Sequence, residues 1–295
     1  MIINQQNLRN LFTGYKAAFQ AAFAGITPDF NPFVLDVPST TSQETYPWLG
    51  STTAFREWLG DRVIQNLKLH DYTIKNKTFE NTVGVGRENI EDDTFGVFGP
   101  MMSQLGQDAA NHPALLVYEM LTAGFSRTCY DGQFFFDTDH PVINAAGAEV
   151  SVSNFQGGSG TAWYLMDTSR VMKPLILQRR KNYNFVALDQ DRDENVFMRK
   201  EFVYGTDARL NVGYGLWQLA YASKQELTSE NFNLAMAAMQ GMTGDKGKKL
   251  GIKPTMLVVP PTLRAKALEI INAEQIDGTT NINRNAVEVL VTPWL

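Results

Sequence analysis

Tyr130 to Pro141 reads YDGQFFFDTDHP and places Asp131, Asp137, Asp139 and His140 within ten positions of a chain that has three histidines in all. Two carboxylates one residue apart beside an imidazole offer oxygen and nitrogen donors of the kind divalent metals accept, and the same groups could share acid/base work. The spacing argues against it. On an extended strand Asp137 and Asp139 project to one side and His140 to the other, so a third ligand has to come from elsewhere. Asp-rich segments that close on His-Pro are also ordinary turn material after a buried aromatic run. The expectation is a structural corner that binds no catalytic metal, with a metal-dependent hydrolase on Asp137, Asp139 and His140 as the enzymatic alternative.

Other segments that could do chemistry are weaker. No triad is visible around His70 or His112. GVGREN and GGSGTA carry glycines, but neither joins a strong buried strand to a helix and neither ends in GKS or GKT, so no nucleotide site is expected. DQDRDEN, residues 189–195, has the composition of a calcium loop yet lacks its central glycine and its glutamate at position twelve, and reads as a solvated turn. No cofactor and no enzymatic activity are expected.

The elements that must carry these residues belong to an ordinary globular chain. At 295 residues it can bury a sizeable core, as one large domain or two modest ones. A charged fraction of 19% is low and leaves room for large subunit contacts. The net charge of −5 argues against a surface devoted to gripping nucleic acid, although a local basic patch remains compatible with it. Cys129 is the single cysteine, which excludes an intrachain disulfide and fits a reducing compartment. No run reaches the length of a membrane helix and the N-terminus lacks the pattern of a signal peptide, so no membrane partner is expected and the protein is intracellular when made.

Leu8, Leu11, Phe12, Tyr15, Phe19, Ala22 and Phe23 recur at helical spacing up to Gly25. Residues 26–50, with prolines at 28, 32, 38 and 47, read as an extended arm of the kind that crosses to a neighbour. Between Leu69 and Arg87, Tyr72 and Ile74 alternate with polar residues, KNK interrupts, and Val83 and Val85 alternate again, the pattern of a projecting hairpin ribbon. A helical register then runs from Phe98 to Phe125 with Pro113 inside it, where a kink or break is expected near His112. Residues 134–223 are rich in strand-like runs. A capped helix at LTSENFNLAMAAMQG, a strand and helix at PTMLVVPPTLRAKALEIINAE, and a last short strand at VEVLVTPWL follow.

DENVFMRKEFVYGTDARLNVGYGLWQLAYASK, with YPWLG, YDGQFFFDTDHPV, WYLMDTSRVMKPLI and the terminal VEVLVTPWL, resembles the major head subunit family of Mu-like bacteriophages and prophages essentially from end to end. The resemblance implies a major capsid protein with the α+β Hong Kong 97-type fold, and divides the chain into an N-terminal helix and arm (1–50), an extended loop (51–92), a peripheral domain (93–224) with a spine helix near 97–128, an axial domain (225–285) and a final peripheral strand (286–295). Only some ten residues follow the axial lobe, so a strand order permuted from the commonest arrangement is expected, with Phe197 to Tyr221 as a hairpin on the spine helix beside Val287 to Val291. Assembly contacts are expected from the loop at Tyr72, Ile74, Lys75, Lys77, Phe79, Val83 and Val85. The resemblance further implies an icosahedral shell of hexamers and pentamers enclosing double-stranded DNA held by weak nonspecific contact, with portal, scaffold and maturation protease as partners, in the virion and, during assembly, the host cytoplasm. A nonviral compartment shell of the same fold is the alternative.

Overall fold

The computed structural model describes residues 5–47, 49, 71–93, 96–190, 192–276 and 278–295. The helices are α1 (Gln5–Ala24), α2 (Arg87–Glu91), α3 (Gly99–Thr122), α4 (Glu194–Arg199), α5 (Ser229–Gln240) and α6 (Arg264–Asn272). The first four strands are β1 (Val34–Pro38), β2 (Gln43–Thr45), β3 (Thr73–Lys75) and β4 (Lys77–Gly86). Next come β5 (His140–Ile143), β6 (Glu149–Val152), β7 (Phe155–Gly158), β8 (Trp163–Met166), β9 (Leu175–Leu188), β10 (Glu201–Tyr214) and β11 (Ala220–Lys224). Two short hairpins, β12 (Thr243–Gly244) with β13 (Lys248–Lys249) and β15 (Gln275–Ile276) with β16 (Thr279–Thr280), flank the longer β14 (Met256–Val259), and β17 (Glu288–Val291) closes the chain.

Two sheets organise the molecule. One has the order β1-β9-β10-β4, built around the long antiparallel pair β9 and β10; the other has the order β17-β14-β8-β11-β7. The chain first passes from β4 to β7 by way of α3 and the β5–β6 hairpin, then crosses directly twice more, outward along 167–174 from β8 to β9 and back along 215–219 from β10 to β11. The four-stranded sheet carries α1 and α3 on one face. Phe202, Tyr204, Thr206, Ala208 and Leu210 of β10, every second residue, are buried there, the period of a strand with one covered face. The five-stranded sheet packs against α5 and α6, and β8 and β14 are buried along their whole length, as strands central to a layered lobe must be.

The apolar stripe of α1 docks as its spacing requires. Leu8, Tyr15 and Phe19 are buried, Tyr15 meets Tyr204 edge-on at 5.2 Å, and Phe12 and Phe19 both pack on Phe185. α1 approaches α3 closely at Gly106, where an added Cβ would lie 2.4 Å from the backbone oxygen of Phe19. Pro113 does not break α3. The helix runs continuously across it, and the buried ring replaces packing for the hydrogen bond its nitrogen cannot give.

Three expectations are corrected. Tyr72–Ile74 and Val83–Val85 do not form a ribbon with each other: β3 pairs with β2, and β4 pairs along ten residues with β10, from Lys77↔Leu210 to Gly86↔Glu201. Alternation marks a strand but not its partner, and KNK is a pinned crossing, not a turn tip. Asn76 donates through Nδ2 to Ser39 Oγ and the Thr41 carbonyl, while its Oδ1 accepts from Gln178 Nε2. The part of the extended loop at 51–70 lies outside the described residues. The arm, secondly, is woven into its own subunit: β1 runs parallel to β9, and Phe30, Phe33, Val34, Tyr46 and Leu49 are buried. Thirdly, the final strand does not sit beside residues 197–221. It pairs in parallel with β14, and Phe197 to Tyr221 is no hairpin but α4, the single strand β10, a crossing and the start of β11. β10 does lie on α3, with β9 as its hairpin partner. β7, β8 and β11, expected in the peripheral block, belong to the same sheet as β14 and β17, because Gly215 and the turn at Trp217–Leu219 carry the chain back across.

Candidate assembly surface and buried junction

His140 is fully buried, but Asp137 and Asp139 are not its partners. Its Nδ1 lies 2.7 Å from Asp131 Oδ2 and its Nε2 3.2 Å from Asn154 Oδ1, and the ring lies flat on Trp217. Asn154 fixes the proton arrangement. Its Nδ2 faces the carbonyls of Phe135, Trp217 and Ala220, which only a donor can satisfy, so its Oδ1 is the acceptor and His140 Nε2 carries a proton. Asp131 Oδ1 accepts from Cys129 Sγ at 3.0 Å and from the Gln133 amide at 3.1 Å. Burial pushes the Asp131 carboxyl up, and the hydrogen bonds from His140 and Cys129 outweigh it, leaving it below the usual range. Asp137 instead accepts from the amides of Phe134 and Thr138, and Asp139 is exposed.

This arrangement is poorly suited to catalysis. Burial, then the adjacent Asp131 charge, raises the Cys129 thiol, so it is a donor and not a thiolate nucleophile. Cys129, Asp131 and His140 bring ligand-type atoms within 4.8 Å of one another. Those atoms are already bonded to each other, and a metal would have to strip the thiol proton as well as replace these bonds. The network has a mechanical role: Asn154 and Trp217, with Tyr130 donating to Gln218 Oε1 at 3.0 Å, fasten the returning crossing 215–219 to the loop that leaves α3. The outward crossing is held by Asp167, buried at the end of β8, which accepts from the Ser169 amide and hydroxyl, Arg170 Nε and the Lys253 amide. Asn154 and Trp217 stand 14 and 77 residues beyond His140, and no local pattern could have found them.

The residues expected at assembly contacts divide sharply. Ile74 fills the space over Gly213, where a Cβ would lie 2.3 Å from its Cδ1, and Val85 is buried in the core under α1. Tyr72 accepts from the Tyr214 amide, and burial pushes its hydroxyl up to about 12. Phe79 meets His112 edge-on at 4.4 Å, and Val83 packs beneath α1. Lys75 and Lys77 alone of the seven are exposed. The sequence did not single out the exposed apolar residues at the far end of the β9–β10 hairpin: Phe197 (79%) and Met198 (71%) on α4, with Val186 and Leu188 of β9.

Two sheets joined by paired crossings, with a long helix lying over the four-stranded one, fit a capsid subunit of the Hong Kong 97 type. The family model for the Mu-like prophage major head subunit gpT matches residues 8–295. The chain is 39% identical over 305 residues to the major capsid protein of Escherichia phage Mu, covering all of both chains, and 43% identical over 274 residues to the Mu-like prophage FluMu major head subunit of Haemophilus influenzae, covering 90% and 89%. Among solved structures it is similar to the procapsid of bacteriophage JBD30, with TM-score 0.88 and 44% identity over 99% of this chain and 100% of that one. It is also similar to the JBD30 capsid, with TM-score 0.80 and 34% identity over 100% and 99%. The chain belongs to the Mu-like major head subunit family and is a structural protein of the phage head, not an enzyme.

Proposed function

We propose that copies of this chain associate as hexamers and pentamers into an icosahedral head that encloses double-stranded DNA. The observation that carries this reading is the full-length likeness to a procapsid subunit. Large patches of exposed apolar side chain are uncommon on a protein that works alone, and Phe197, Met198, Leu188 and Val186 are exposed on the two elements that meet at the end of the β9–β10 hairpin. A shell needs contacts that close into rings, each weak and many acting together. In this reading the four-stranded sheet with α1 and α3 is the peripheral domain, the five-stranded sheet with α5 and α6 the axial domain, and Lys75 and Lys77 the remaining loop contacts. Scaffold, portal and maturation protease are its assembly partners in the host cytoplasm. A net acidic chain suits a container whose contents must leave, because a strongly basic lining would hold the DNA in place.

Electron microscopy of the protein produced with its scaffold tests the proposal. Closed shells are expected from the wild type, and soluble subunits of unchanged melting temperature from Phe197→Ser/Met198→Ser. Particles of normal yield from that variant would remove the tip from the assembly surface, and a wild type that forms only a small oligomer would remove the shell.

A further inference from the structure

Lys246, Lys248, Lys249 and Lys253 fall within eight residues of a chain whose net charge is −5. The β12–β13 hairpin holds three of them. Its turn is fixed by Lys246 in the left-handed region (φ 63) and Gly247 (φ 70), and Asp245 bolts it to β5 by accepting from the Ile143 amide at 3.0 Å. Lys253 follows on a segment tied to the outward crossing: its amide donates to Asp167, and Arg170 Nη2 donates to the carbonyls of Leu250 and Gly251 at 2.5 and 2.8 Å. Lys246, Lys249 and Lys253 are exposed and Lys248 is half-buried. The two carboxylates built into these loops are already engaged, Asp167 with Arg170 and Asp245 with a backbone amide. None of the four ammonium groups has a carboxylate partner among the described residues.

We propose that this braced hairpin is a contact for the phosphate backbone of duplex DNA. The inference rests on the DNA-container reading above and names the part of the chain that would touch the contents. Lysines are point charges without the planar fork that reads bases or seats a carboxylate pair, and four on a rigid turn suit a sequence-independent polyanion. Elsewhere the chain's net acidity opposes such a partner, which keeps the contact weak and local.

The test uses the full-length unassembled subunit and a fluorescent duplex of about 30 base pairs, with binding followed by anisotropy from about 20 to 200 mM NaCl. Each phosphate neutralised contributes about 0.9 to the slope of log K against log salt. The variant Lys246→Ala/Lys249→Ala/Lys253→Ala should lower the slope by roughly 2–3 and the affinity at low salt by at least about tenfold. The matching triple Arg variant should bind like the wild type, and a triple Gln variant should repeat the loss if alanine perturbs the fold. Unchanged binding in the Ala and Gln variants, or a wild type that binds poly-glutamate but not DNA, overturns the proposal. The DNA content of purified wild-type heads is measured separately. Empty heads would overturn the container reading, while the duplex titration still decides whether the hairpin binds phosphate.

Discussion

His140 lies flat on Trp217, ring centroids 3.9 Å apart and planes 9° from parallel, and this contact joins the loop after the long helix to the chain's return between the two sheets. Asp131 closes one edge of the imidazole and Asn154 the other. His140→Ala therefore opens a cavity under Trp217 and leaves the Asp131 carboxylate with one donor fewer. Leaving a buried polar group short of a hydrogen-bond partner costs about 1–3 kcal/mol, more for a charged one. Denaturant unfolding of the unassembled subunit should show a loss of that order, and a loss under about 1 kcal/mol, the range of an exposed pair, would refute the role given to the junction.

The same pair sets a pH dependence. The folded Asp131 carboxyl sits below its usual range. A carboxyl depressed by folding stabilises the fold above its unfolded value, roughly 3.9, and loses that share as pH falls through the folded value. The stability gap between wild type and Asp131→Asn should then be full near about pH 7 and close below about pH 4. A gap that stays constant as the pH falls from about 4 through the folded value would mean that the carboxylate charge contributes nothing.

How far the sequence could be read explains where these predictions come from. Helical spacing of Leu8, Tyr15 and Phe19 was enough to place α1, and the run through Leu105, Ala109, Leu116 and Met120 enough to place α3, although beyond Pro113 the buried positions are Ala114, Val117 and Leu121 and Leu116 and Met120 are only half-buried. Strands declare a face but not a partner. Val83 and Val85 alternate as expected, yet what β4 joins is settled by β10, well over a hundred residues later. For the same reason Asp137 and Asp139 drew attention for being nearest His140 in the chain, whereas the partner within that segment is Asp131, and Asn154 and Trp217 reach it only in space.

Gly106→Ala separates propensity from packing. In an isolated helix alanine gains about 1 kcal/mol over glycine. Here the new methyl would stand 2.4 Å from the Phe19 carbonyl oxygen, a backbone atom that cannot swing aside, so α1 has to shift. Overpacking of this kind costs about 1–3 kcal/mol and should outweigh the gain. Reduced hydrogen-exchange protection confined to α1 and its neighbours is the expected signature, and a variant more stable than wild type would show that the two helices are free to move apart.

Cys129 should be inert while the subunit is folded. Its thiol is buried, raised, and donates to Asp131. Mass spectrometry after iodoacetamide treatment at neutral pH should find the native subunit unmodified and the urea-unfolded chain fully alkylated; rapid labelling of the native subunit would contradict the burial of the junction.

Asn76 offers a test of the crossing that replaced the expected hairpin tip. Its amide holds three elements at once: Nδ2 donates to Ser39 Oγ at 2.8 Å and to the Thr41 carbonyl at 2.9 Å, and Oδ1 accepts at 2.9 Å from Gln178, a buried side chain that also donates to the Ile74 carbonyl and accepts from Tyr46. Asn76→Ala removes these bonds but adds no new conflict. Asn76→Asp keeps the shape and the acceptor for Gln178, yet turns a carboxylate oxygen toward the Thr41 carbonyl, two acceptors with no hydrogen between them. Each lost or unsatisfied partner costs about 1–3 kcal/mol, and the charged variant carries the larger share. Both variants should lower the melting temperature of the subunit, with aspartate at least as harmful as alanine. If the segment were a free ribbon tip, both would melt like wild type, because a solvated asparagine there would have nothing to lose.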